Sequence, residues 1–85
     1  MELEKQRQRI DWIDRRIVGL LSERMRAAAD AGRLKKGKGL KITDRQRENE
    51  VIKRVRSAAK DEGLDEGFAE SIFSIIIKQS RTEQR

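Results

Sequence analysis

Arg7, Asp14, Leu21, Ala28 and Lys35 recur at seven-residue intervals, and Ile10, Ile17, Arg24 and Ala31 occupy a second register beside them. Sustained seven-residue spacing marks a helix seam destined for burial. This seam carries Arg7, Asp14, Arg24 and Lys35 where a plain bundle would place Leu or Ile, and buried charge is costly unless it is paired. Two readings account for the four residues. Either they are salt-bridged residues that set helix register or the seam is displaced by one position, or they line an anion-binding pocket built from side chains on facing helices. Arg24 and Lys35 are eleven residues apart, about 16 Å along a helix axis and close to the same azimuth, so both can reach one small ligand. Arg7 stands seventeen residues from Arg24, about 25 Å away. One straight helix cannot bring both arginines to one metabolite, which assigns Arg7 to the pocket of a partner chain, two pockets being related by a two-fold axis.

Asp44 and Glu48 lie one turn apart beside Arg47. Paired carboxylates can do general acid–base work or hold a metal, yet without histidine they equally describe an acidic helix N-terminus favoured by the macrodipole. Lys36-Gly37-Lys38-Gly39 lacks the spacing of a phosphate loop and reads as a flexible basic turn. Trp12, with Lys5, Arg9, Arg15 and Arg16 around it, reads as one packed aromatic on a solvated face.

The absent residue types narrow the chemistry. With no His and no Cys, Ser-His-Asp and Cys-His nucleophiles, imidazole or thiolate zinc sites and disulfides are all excluded. We expect no metal and no cofactor. The 85 residues include 21 Lys+Arg against 15 Asp+Glu, a formal charge of +6, which fits an anionic partner without identifying it. The longest apolar run, Ile75-Ile76-Ile77, is far short of a membrane span, and the first residues lack the apolar core of a signal peptide. The expected chain is soluble and cytoplasmic, with no membrane partner.

The elements that position these groups follow from pattern and punctuation. The fold class is all-α, a single domain over residues 1–85 of three helices and two breaks. The first helix, about Leu3 to Lys36, is roughly 50 Å long and cannot bury its seam against two shorter helices of so small a chain. An intertwined homodimer is therefore expected. Thr43-Asp44-Arg45-Gln46 predicts a capping box with Thr43 as N-cap, opening a helix that Gly63 stops, its inner face being Asp44, Glu48, Val51, Val55 and Ala58. Asp65 caps a third helix whose stripe is Phe68, Ile72, Phe73, Ile76 and Ile77. Steps of four from Ile72 and Ile76 lead to Ser80 and Gln84, polar groups at the end of an apolar face.

In order along the chain, Arg7-x-x-Ile10-Asp11-x-x-Asp14, Leu20-Leu21-x-Glu23-Arg24, Gly32-x-x-Lys35, Asp44-x-x-Arg47-Glu48, Gly63-Leu64-Asp65 and Ser80-x-x-x-Gln84 together resemble an all-helical chorismate mutase, over nearly the whole chain. The resemblance implies an intertwined dimer of three-helix chains and the rearrangement of chorismate to prephenate. It implies that Arg24, and Arg7 of the other chain, grip the two substrate carboxylates with help from Ser80. Lys35 and Gln84 would hydrogen-bond the ether oxygen, Lys35 also touching a carboxylate; Asp44 and Glu48 would hold the ring hydroxyl, and Arg47 would line the pocket. The catalytic set is thus Lys35, Gln84 and Arg24. The sequence departs from the family at Gln6, where Leu is usual, and in the loop before Asp44, which lacks Pro and carries Gly37 and Gly39.

The implied chemistry suits the composition, because a unimolecular Claisen rearrangement needs no nucleophile, metal or proton relay. Isochorismate-pyruvate lyase and aminodeoxychorismate mutase stand as alternatives on the same fold. A basic helical nucleic-acid-binding dimer is the alternative from another class. Against it, the basic residues are spread over all three helices among acids, so no nucleic-acid partner is expected.

Overall fold

A computed structural model describes every residue from Met1 to Arg85. Helix α1 spans Glu2–Gly37, α2 Arg45–Asp61 and α3 Glu66–Gln84, and there is no strand. Both breaks turn on a glycine in the left-handed region, Gly39 at φ +69° and Gly63 at φ +71°, where a Cβ would be strained. The Gly39 and Leu40 amides donate back to the Lys36 and Lys35 carbonyls, at 3.1 and 2.7 Å. Those of Gly63 and Leu64 do the same to Lys60 and Ala59, at 3.2 and 2.8 Å. The paired bonds satisfy carbonyls that the helix ends would otherwise leave open.

Helix α2 begins differently from the sequence expectation. Asp44, not Thr43, is the N-cap, with its side chain accepting from the Arg47 amide at 3.0 Å. A carboxylate against the positive end of a helix gains charge attraction that a neighbouring hydroxyl cannot match. Asp65 caps α3 as expected, accepting from the Phe68 amide at 2.8 Å.

Helix α3 lies between the other two, and α1 and α2 each pack on it without meeting one another. The contact stripe of α3 is Ala69, Phe73, Ile76, Ile77 and Ser80, all buried except the half-buried Phe73. Against it stand small residues: Ala28 and Gly32 from α1, Ala59 from α2. On α2, Glu48, Val51 and Val55 are half-buried as expected, but Ala59 is buried and Ala58 exposed. Continuing from Val55 by four residues rather than three follows the face that α3 covers. Phe68 and Ile72 are 55% and 39% exposed, because they fall on the adjacent stripe with Ile75, outside the contact.

The seam of α1 is covered only in its second half. All of the first twenty residues are exposed, Arg7, Asp14, Ile10 and Ile17 among them, along a molecule 57 Å long and only 23 by 16 Å across. Five apolar residues in the whole chain are buried, and none of them is a large side chain fully withdrawn from solvent. No helix is long and apolar enough to cross a membrane.

Candidate active site

Because α1 and α2 straddle α3 without touching, a cavity of about 380 Å³ opens between them with α3 as its floor. That volume is within the range of small-molecule sites. Arg24 and Lys35 of α1, Asp44, Arg47 and Glu48 of the α2 start, and Ser80 and Gln84 of α3 all line it. Ala28, Val51 and Ile77 supply apolar wall between them. Arg7 does not line it; that residue sits on the exposed half of α1.

The charges in the cavity are unevenly matched. The Arg24 guanidinium donates from Nη1 to Ser80 Oγ at 2.6 Å and lies 5.9 Å from the Phe73 ring centroid, and no carboxylate faces it within salt-bridge distance. Burial, and secondarily the positive Arg47, hold its pKa below the ordinary arginine value. Both causes penalise the cation, so an anion placed beside Arg24 would relieve them. Lys35 Nζ likewise donates only to neutral oxygens, the Ile42 carbonyl at 3.1 Å and Gln84 Oε1 at 3.2 Å. Two partly buried cations on one helix face therefore look into one cavity without counter-ions.

The uncharged groups are oriented by the same contacts. Ser80 Oγ accepts from Arg24 and donates to the Ile76 carbonyl at 2.9 Å, so its hydroxyl steadies the guanidinium. With Oε1 turned to Lys35, the Gln84 amide keeps its NH2 end as the donor still free. Gln84 is held there by a close approach of helices. A Cβ built on Gly32 would fall 2.5 Å from the Gln84 carbonyl oxygen and 2.6 Å from its Cα. Lys36 Nζ also donates to the Arg85 carbonyl, tying down the last residue.

On the α2 side, Asp44 Oδ1 is engaged in the helix cap. Arg47 is exposed, and its guanidinium pairs with the Glu50 carboxylate at 3.8 Å. Glu48 is the carboxylate with a strong partner: Arg81 of α3 forks onto it, Nε to Oε2 at 2.7 Å and Nη2 to Oε1 at 2.5 Å. Those hydrogen bonds hold the Glu48 carboxyl below its ordinary range, against a burial effect of opposite sign, and raise Arg81. Sequence reasoning passed over Arg81. A charged residue beside an apolar stripe reads as solvated face, and only the crossing of α2 over α3 brings it to Glu48.

Comparison with known proteins bears on the chemistry. The chorismate mutase type II family model matches residues 6–85. A chorismate mutase of Methanocaldococcus jannaschii is 33% identical over 84 residues, which are 99% of this chain and 85% of that protein. A 3-dehydroquinate dehydratase of Pyrobaculum aerophilum is 32% identical over 78 residues, 92% of this chain but 22% of that one. The bifunctional chorismate mutase/prephenate dehydratase of Escherichia coli K12 is 28% identical over 79 residues, 93% of this chain and 20% of that one. In the last two, a segment of about this chain's length is one part of a much longer protein.

Proposed function

The chain belongs to the chorismate mutase type II family, and we propose on that premise that its cavity rearranges chorismate to prephenate. The observation that carries the reading is the pair of cations without counter-ions, Arg24 and Lys35, facing one cavity beside the free amide of Gln84. The substrate is a dianion with an ether oxygen between its carboxylates. Arg24 and Lys35 supply charge for the carboxylates, and fixing both ends holds the flexible side chain folded over the ring, in the compact conformer that reacts.

As the C–O bond breaks and the C–C bond forms, negative charge grows on the ether oxygen. Lys35 and the Gln84 NH2 are the donors for that charge. Because they are oriented before substrate arrives, they stabilise the transition state more than the ground state. Ser80 keeps Arg24 directed into the cavity. Asp44 and Glu48 take the ring hydroxyl, and Arg47 adds positive charge at the rim.

Arg7 completes the clamp from a second copy. The exposed apolar residues of α1, Leu3, Ile10, Ile13 and Ile17, and the uncovered stripe Phe68, Ile72 and Ile75 of α3 support burial by a partner chain. A two-fold pair of such chains has two cavities, each with one borrowed arginine. Incubation of the purified protein with chorismate, following loss of the diene absorbance and identifying the product, tests the reading. Prephenate is expected; pyruvate would make the chain a lyase, and no turnover would remove the enzyme reading.

A further inference from the structure

Arg81 stands apart from the other cations of the cavity because it is already committed. It joins Ser80 and Gln84 on α3 yet reaches across the floor to α2, where both of its bonding nitrogens engage both oxygens of Glu48. The pair is the least exposed salt bridge of the chain, 33% exposed for Arg81 and 19% for Glu48. Both side chains line the cavity, so the pair belongs to the site and not to the outer surface.

We propose, resting on the mutase reading above, that Arg81 determines specificity at the ring substituent, by neutralising Glu48 so that this end of the cavity takes a neutral hydroxyl and disfavours an ammonium. The charges lining the cavity are four cations, Arg24, Lys35, Arg47 and Arg81, against the carboxylates of Asp44 and Glu48. The surplus from one chain is two positive charges, and the Arg7 borrowed in the proposed dimer adds a third, so the pocket favours a dianion. An amino substituent, protonated at neutral pH, lowers the net charge of the substrate to that of a monoanion and weakens that attraction.

The local chemistry points the same way. A carboxylate offers about four lone-pair directions, and the guanidinium fork occupies one on each Glu48 oxygen. A hydroxyl needs a single acceptor and finds it on a lone pair that remains. An ammonium needs several acceptors and a net negative neighbour. Here it would meet Asp44, which already caps α2, a Glu48 whose charge is cancelled, and the Arg81 cation at hydrogen-bond distance behind it. Specificity of this kind comes from the repulsive element as much as from the attractive one.

The test compares two substrates on one protein preparation, chorismate and aminodeoxychorismate, with Arg81→Gln and Arg81→Leu beside the parent. The ratio of their kcat/KM values does not depend on how much of a sample is folded, so a variant of reduced stability remains informative. The parent is expected to favour chorismate. Both variants should shift the ratio toward the amino substrate by about tenfold or more, the scale of one charge-assisted interaction. A ratio unchanged within about twofold in both variants, or a parent that prefers the amino substrate, overturns the assignment to Arg81. A parent that turns over neither substrate overturns the mutase reading instead, so the two failures are distinguishable.

Discussion

Adding one methyl group at Gly32 should uncouple the C-terminal end of α3 from the cavity. The Cβ would stand 2.5 Å from the Gln84 carbonyl oxygen and 2.6 Å from its Cα, both backbone atoms that cannot rotate away. Ordinary contact begins near 3.4 Å, so the two helices must part by about 1 Å at this point. Alanine favours helix over glycine by up to about 1 kcal/mol, whereas overpacking costs roughly 1–3 kcal/mol. The net loss of stability is therefore modest, and the damage concentrates on geometry. A misplacement of about 1 Å in a catalytic group can cost on the order of 100-fold in rate. Gly32→Ala should accordingly lower kcat by about that factor with little change in KM, because a donor to the ether oxygen acts in the transition state. The assay is steady-state turnover of chorismate beside a thermal melt, repeated in a Gln84→Ala background. There the donor is already gone, and the added loss from Gly32→Ala should be under about threefold. A single variant with near-parent kcat, or a full 100-fold loss persisting without the Gln84 amide, would refute the positioning role.

Other outcomes follow from the same geometry. Gln84→Ala should reduce kcat by about 10²–10³ with a small effect on substrate binding, and Gln84→Glu should work mainly at acid pH, where the carboxylic acid can still donate; activity rising from acid to neutral pH would contradict the role. The lowered Glu48 pKa means that its pairing with Arg81 contributes stability above the ordinary carboxylate pKa, lost only as pH falls through the lower folded value. Arg81→Gln removes that stabilising partner and leaves burial and Asp44 to raise Glu48 against Arg45, so in melts across a pH series the variant should be less stable than the parent at neutral pH, the gap closing as pH falls and the parent's Glu48 protonates; a gap that stays constant into acid would contradict the pairing. Asp65→Ala deletes the cap on Phe68 and should cost about 1 kcal/mol by denaturant titration, with kcat unchanged, since Asp65 does not line the cavity.

Much of the cavity lining was legible because it violates a pattern. Charges at Arg24 and Lys35 on a helix seam have few explanations, and steps of four along α3 lead straight to Ser80 and Gln84. What was not legible depends on how helices cross. Whether Val55 is followed in the buried face by Ala58 or Ala59 is set by the angle of α2 on α3. The same crossing brings Arg81 within reach of Glu48, thirty-three residues earlier in the chain. Thr43 and Asp44 are both competent caps side by side, and the choice rested on charge at the helix terminus. Gly32 was one glycine among six until the approach of Gln84 gave it a reason.

The proposed pocket is charge-complementary and completed by two chains together, and subunit mixing tests that proposal most directly. Arg7→Ala and Arg24→Ala should each be nearly inactive alone, each removing one arginine from every site. After exchange to a random mixture, half of the dimers pair one variant with the other, and each such dimer has one site with both arginines and one with neither. Chorismate turnover should then recover to about a quarter of the parent's, by the two-fold arrangement of the sites. Turnover no greater than the sum of the separate variants, in a mixture whose exchange is verified by native mass spectrometry, would contradict the shared pocket.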